Sequence, residues 1–225
     1  ETSLIDVLCK RTSDQRQEIA LAFKTQYGKD LLKNLESETS GNFKKVLKQL
    51  MRTKLQVEAH DLRKAVEGFG TNEKAFIDIV CTKSNMEMNE LKNIYRQIYG
   101  RDLERDCTGD VSGYFRRLVV SLLAARRSDF GPDHQKAAQQ AQEIYQAGMG
   151  RLGTDEVAFN RIFASESFPH LKVVFEEYYR QSGHDIEKAI RSEMSGDIQQ
   201  AFLCLVDMAR DPPAYWARRL HETMK

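Results

Sequence analysis

The stretch ETSLIDVLCKRTSDQRQEI…YGKDLLKNLESETSGNFKKVLKQL, starting at Glu1, lies over EKAFIDIVCTKSNMEMNEL…YGRDLERDCTGDVSGYFRRLVVSL, starting at Glu73, without a gap and at an offset of 72. A third copy, EVAFNRIFASESFPHLKVV…SGHDIEKAIRSEMSGDIQQAFLCL, begins at Glu156. Self-similarity at this period constrains the fold more than any local propensity. Each copy is one supersecondary unit that cannot bury its apolar face alone, so the copies must stack on one another.

The matched columns sort by physics. Leu4, Phe76 and Phe159 agree, as do Leu8, Val80 and Phe163, then Ile19, Leu91 and Val174, then Leu31, Leu103 and Ile186. These columns are expected in the core. Within a copy the apolar residues recur at helical spacing, as in Leu91, Ile94, Tyr95, Ile98 and Tyr99, and the chain reads as all-α. Gly28, Gly100 and Gly183 each precede an aspartate (Asp30, Asp102, Asp185) by two positions. That pairing predicts a helix end closed by left-handed glycine and a new helix start favoured by an acid. Thr12 with Gln15, and Ser84 with Glu87, have the spacing of capping boxes.

Composition removes several function classes. The 34 basic and 33 acidic residues nearly cancel, so no bulk positive field is available for nucleic acid. The run Leu118 to Ala125 is far shorter than the roughly 20 residues of a membrane-spanning helix. Cys9, Cys81, Cys107 and Cys204 have no C-x-x-C spacing and are expected to be reduced and mostly buried. His60, His134, His170, His184 and His221 are scattered, and no nucleophile sits in a catalytic motif, so an enzyme is not expected.

One matched column is polar. Glu38, Asp110 and Glu193 each stand three residues before a glycine (Gly41, Gly113, Gly196), in a loop between helical stretches. Two of these acids have an upstream glycine–threonine loop, Gly68-Phe69-Gly70-Thr71 and Gly150-Arg151-Leu152-Gly153-Thr154, and in both cases 38 residues separate the threonine from the acid. Glycine-rich backbone that turns carbonyls outward, together with one carboxylate, offers only oxygen acceptors. Such a set attracts a hard cation, calcium in preference to magnesium. A phosphate-binding loop fits poorly, because Glu73 occupies the place of a third glycine and no lysine–serine/threonine pair follows. A Gly-x-Gly-Thr that merely ends one helix and caps the next is the structural alternative. An EF-hand is disfavoured by the missing D-x-D-x-D-G loop.

At these residues the sequence resembles the annexins: GFGT…GDVSG and GRLGT…SEMSG look like that family's calcium loop and its distal acidic ligand, and the likeness extends over the chain. The resemblance implies repeats of five short helices, A to E, in a right-handed superhelix forming a curved disc with calcium loops on its convex face. Its expected divisions are a partial first repeat over 1–54, a second over 55–127, a third with its linker over 128–211, and the first helix of a fourth over 212–225. The implied calcium ligands are the carbonyls of Val66, Gly68 and Gly70 with the carboxylate of Asp110, and the carbonyls of Gly148, Arg151 and Gly153 with Glu193. Glu38 lacks its own loop and is an orphan ligand. Thr71, Glu73, Thr154 and Glu156 are candidates for secondary calcium, or else helix-start residues that complement the dipole. Phe69 and Leu152 either dip into a membrane interface or fold back on their helices, and Arg151 either meets a lipid phosphate or stays solvated.

The implied partner is an anionic phospholipid surface, bound peripherally and reversibly through Ca2+, with self-association on membranes as a corollary. The implied location is cytoplasmic and peripheral to membranes, with an extracellular alternative that needs no signal peptide. Where Glu67 stands, the family often has a basic residue. The abrupt ends at Glu1 and Lys225 lead to the expectation of a longer parent with four repeats. A helical-repeat scaffold for protein partners is the competing function.

Overall fold

The computed structural model describes residues 2–67, 73–109, 111–148 and 155–224. Among them are fifteen α-helices, and the chain divides into two compact units, Glu1–His60 and Asp61–Lys225.

The first unit holds α1 (Thr2–Leu8), α2 (Ser13–Tyr27), α3 (Leu31–Glu38), α4 (Gly41–Leu50) and the start of α5 (Lys54–Glu67). Its core is small. Leu8, Leu35, Leu47 and Met51 are buried, and Leu4, Leu31, Leu32 and Phe43 pack against them only partly covered. Expecting Leu4, Ile19 and Leu31 in the core is therefore correct in direction but not in degree: all three are half-buried, because a unit of this size covers a smaller fraction of its surface. Polar side chains tie the unit together where apolar area is short. Arg16 Nε donates to the Leu50 carbonyl at 2.7 Å and Gln17 Nε2 to that of Met51 at 2.8 Å, which satisfies carbonyls left over at the end of α4.

The second unit continues α5 and adds α6 (Glu73–Val80), α7 (Asn85–Tyr99), α8 (Leu103–Gly109) and α9 (Gly113–Leu123). It then runs through α10 (His134–Ala147), α11 (Glu156–Ser165), α12 (Phe168–Ser182), α13 (Ile186–Glu193), α14 (Gly196–Arg210) and α15 (Pro212–Thr223). Here the repeat columns are core without exception: Phe76, Val80, Leu91 and Leu103, like Phe159, Phe163, Val174 and Ile186, are at most 2% exposed. α6 packs on α14 and α9 on α11. The two sets of five helices thus exchange their second and fifth members across a shared core, which is how stacking buries what one copy cannot.

The punctuation read from the sequence is built as expected. Both capping boxes form. Gly28, Gly100 and Gly183 close their helices at φ 65°, 65° and 70°, a region that costs a residue with a β-carbon about 1–2 kcal/mol. Asp30, Asp102 and Asp185 then cap the next helix by accepting backbone N–H groups at 2.9, 3.0 and 2.8 Å. All four cysteines are free; Cys81, Cys107 and Cys204 are buried and Cys9 is exposed.

A buried polar chain joins α10 to α12. Asp133 N–H donates to His170 Nδ1 at 3.2 Å, so the ring proton sits on Nε2 and is donated to Gln140 Oε1 at 2.8 Å. Gln140 Nε2 in turn donates to Glu166 Oε1 at 2.8 Å, which also meets the Lys136 ammonium at 2.8 Å. Burial holds the His170 imidazole below its ordinary value, and the Lys136 charge adds to this against the opposing pull of Glu166 and Asp133. Burial alone would raise Glu166, but Lys136 and Gln140 keep it below the usual carboxylate range.

The sign for stability follows from these directions. Below about pH 6.5, where an unfolded histidine takes up a proton, the folded state still refuses it, so stability declines as pH falls toward the folded value. A lower urea midpoint at pH 5.5 than at pH 7.5 is expected, with the difference reduced in His170→Gln. An undiminished difference in that variant would place the acid sensitivity elsewhere.

Candidate functional site

The sequence sets α5 to end just before the first glycine–threonine loop and α8 to end just before Asp110. The helices stop at those places, at Glu67 and Gly109. Val66 lies in the last turn of α5, so its carbonyl is among the four that have no intrahelical donor and face outward at the helix end. Gly68, Phe69, Gly70, Thr71 and Asp110 themselves lie outside the described residues, as do Arg151, Leu152, Gly153 and Thr154 in the third copy.

A polar brace brings the two helix ends together. Arg63 on α5 donates from Nη1 to Asp106 Oδ2 on α8 at 2.8 Å, and its Nη2 pairs with Glu67. Asp106 also accepts from Arg101 Nε at 2.7 Å and Nη2 at 2.6 Å, and from the Tyr95 hydroxyl at 2.8 Å. The Arg101 guanidinium, helped by the Tyr95 hydroxyl and opposed by burial, holds Asp106 well below the usual carboxylate range. Val66 and Glu67 from one loop's root, and Asp106 and Gly109 from the other's, consequently line one cleft of about 250 Å3. The brace also accounts for Glu67, the residue that departs from a basic family pattern: its carboxylate is spent on Arg63.

Of the brace, sequence reasoning noted Glu67 as a departure from a basic family pattern and Tyr95 as an apolar-period position, but it singled out neither Arg63, Arg101 nor Asp106. Their column holds Asn34 and Ala189 in the other copies, so the repeat gives no signal for Asp106. The only local hint is an arginine five residues before an aspartate.

In the third copy Gly148 caps α10 at φ −111°, ψ −104°, outside the helical and extended regions open to residues with a β-carbon. The loop's base is closed by a hydrogen bond from Asp155 N–H to the Ala147 carbonyl at 2.7 Å. Asp155 also caps α11, accepting from Val157 N at 3.1 Å and Ala158 N at 3.3 Å. Glu156 stands in the first turn of α11, as Glu73 does in α6. Glu193 is the last residue of α13, half-buried, with the Ser192 hydroxyl at 3.4 Å from Oε1. Glu38 ends α3 at the corresponding place and is exposed.

Two acids from different copies share one neighbourhood. Burial and the Glu73 carboxylate both push the Asp197 carboxyl, at the start of α14, above its ordinary value. Among the described residues no three histidine, cysteine, aspartate or glutamate side chains converge on a metal position. The described donors are helix-end carbonyls and single acids. They are hard oxygen ligands that suit a calcium-like ion and give a soft metal no purchase.

The annexin family model matches residues 1–50, 57–122 and 139–205. The chain belongs to the annexin family. It is 43% identical to human annexin A7 over 226 residues, an alignment that covers 100% of this chain and 46% of that protein. It therefore spans about half the length of such curated relatives. Among solved structures it is similar to annexin III, with a TM-score of 0.95 at 36% identity, covering 99% of this chain and 69% of that one. A calcium-bound annexin (Sm)1 superimposes with a TM-score of 0.86 at 29% identity, over 98% of this chain and 67% of that one. The helices are those of an annexin fold, matched over about two thirds of each of these solved chains, and no helix among the described residues is long and apolar enough to cross a membrane.

Proposed function

We propose that this annexin chain binds anionic phospholipid membranes reversibly and in a calcium-dependent way, from the cytoplasmic side and as a peripheral protein. The observation that carries the reading is the Arg63–Asp106 brace, which brings the end of α5 and the end of α8 to one cleft. A second support is the calcium bound by annexin (Sm)1, whose fold superimposes on this one.

Val66, Gly68 and Gly70 would offer carbonyls and Asp110 a carboxylate; Gly148, Arg151, Gly153 and Glu193 would do the same in the third copy. Calcium, when bound, supplies the positive charge that a lipid phosphate seeks. Three carbonyls and a bidentate carboxylate come to about five oxygens, short of the six to eight calcium takes, so room is left for headgroup oxygens or water. One carboxylate per site makes each site weak alone. Two sites within the second unit then act through effective concentration, and membrane binding is cooperative. Phe69 and Leu152 are placed to add apolar contact at the interface, with Thr71, Glu73, Thr154 and Glu156 available to secondary ions.

Co-sedimentation with phosphatidylserine vesicles tests this directly. Pelleting is expected with calcium, release with chelator, and little pelleting on phosphatidylcholine alone. A chain that pellets equally in calcium and in chelator is a membrane binder of another kind, and one that pellets in neither is better read as a helical-repeat scaffold.

A further inference from the structure

We infer that the groove between α9 and α11 is a second, calcium-independent ligand site that takes a phosphorylated polyol. The groove has a volume of about 840 Å3 and is lined by Tyr114, Arg116, Arg117, Val120, Ser121 and Asn160. It lies apart from the cleft at Val66 and Gly109, and no step of the calcium reading uses it.

Its chemistry is cationic and incompletely satisfied. Arg116 and Arg117 are exposed on consecutive positions of α9, and among the described residues neither guanidinium meets a carboxylate. By contrast Arg63, Arg101, Arg161, Arg210 and Arg219 of the same unit are paired with acids, and Arg127 is bound by backbone carbonyls. Arg117 lies over the Tyr114 ring at 5.2 Å, which holds its planar face and leaves the donor edge free for an anion. A guanidinium fork matches the oxygens of a phosphate in a way that a point charge does not.

The opposite wall sets a further requirement. The Ser121 hydroxyl donates to the Arg117 carbonyl at 3.0 Å, so it can only accept from Asn160, and the Asn160 Nδ2 faces it at 3.3 Å. That fixes the amide orientation and leaves Asn160 Oδ1 a buried acceptor with no donor. An acceptor left so is costly, and because Oδ1 is covered, a turn of the Asn160 side chain on ligand entry is what lets a ligand hydroxyl supply the missing donor. Tyr114 and Val120, both about half exposed, offer apolar surface to the carbon skeleton. Phosphate for the two arginines, hydroxyl for Asn160 and C–H surface for Tyr114 together describe a phosphorylated polyol. It can arrive as a lipid headgroup or as a free ester.

The test is an NMR titration of the chain with myo-inositol 1-phosphate in the presence of chelator, following the arginine side chains and the Asn160 amide. Saturable shifts at Arg116, Arg117 and Asn160 are expected. Arg116→Ala with Arg117→Ala should weaken binding by at least about tenfold, since charge-assisted hydrogen bonds are lost. Both residues are exposed, so the fold is expected to hold, and circular dichroism verifies it.

Unphosphorylated myo-inositol should give no shifts. Phosphatidylinositol vesicles in chelator separate the sources: pelleting lost in the double variant supports a headgroup, and binding of the free ester alone supports a soluble ligand. The inference is overturned by an absence of shifts with the ester, by equal binding to the double variant, or by equal binding of unphosphorylated inositol.

Discussion

Alanine at both Asp110 and Glu193 is expected to abolish calcium-dependent pelleting on phosphatidylserine vesicles while helical content stays unchanged. Each substitution removes the only carboxylate that the proposed set of ligands contains. Calcium affinity spans several decades with ligand charge count, so a loss of more than about a hundredfold per site is the natural scale. The single variants separate the two loops. With one site intact, binding should weaken strongly but survive at higher calcium, because the second site contributes through effective concentration and not through a new contact. Asp110→Asn and Glu193→Gln, which retain an oxygen but no charge, should fall between wild type and alanine. Retention of wild-type pelleting by the double alanine variant would falsify the ligand assignment, though not the family membership. Glu193 is the last residue of α13, and α8 already stops at Gly109, before Asp110 in the sequence, so neither substitution is expected to disturb the helices.

What could be read beforehand was whatever repeats. The core columns, the left-handed glycines, the aspartate caps and the acid-to-threonine spacing recur in register, and recurrence distinguishes a requirement from an accident. What could not be read was the pairing of polar groups across the fold. Asp6, Asp78 and Arg161 share one column, yet Asp6 meets Lys10 one turn away, and Asp78 accepts from Arg219 at 2.9, 3.0 and 2.6 Å across 141 positions. Arg161 instead pairs with Glu143. A helical period says which face a residue occupies, but not which distant side chain that face meets. The same limit hid the Arg63–Asp106 brace: neither partner is repeated, and 43 positions separate them. It hid the linker contacts as well, in which Arg127 Nη1 donates to the Phe163 and Glu166 carbonyls at 2.8 Å each. Sequence thus pointed to the two loops, while the brace that joins the ends of α5 and α8 beside them had to be seen.

Phe163→Ala is expected to be the most destabilising single change in the second unit's core, at about 3–5 kcal/mol. Phe163 is fully buried and is the hub of an aromatic cluster built from three helices. Its ring centroid lies 5.9 Å from Phe159, 5.1 Å from Phe175 and 4.9 Å from Phe202, the last edge-to-face. Truncation removes the transfer energy of the ring and leaves a cavity that collapses poorly, because Phe175 and Phe202 are held from two other helices, α12 and α14. Its carbonyl also accepts from Arg127 at 2.8 Å, so relaxation of α11 toward the void would strain that bond. Phe163→Leu keeps most of the volume and should cost about half as much or less. At roughly 2–4 °C per kcal/mol for a chain of this size, the alanine variant should melt on the order of 10 °C lower. The matched residue in the first copy, Leu8, is also buried but sits in a small core of four buried residues. Leu8→Ala should therefore cost less, about 2–3 kcal/mol. A Phe163→Ala variant that melts within a degree or two of wild type would mean that the aromatic cluster is not what holds α11, α12 and α14 together.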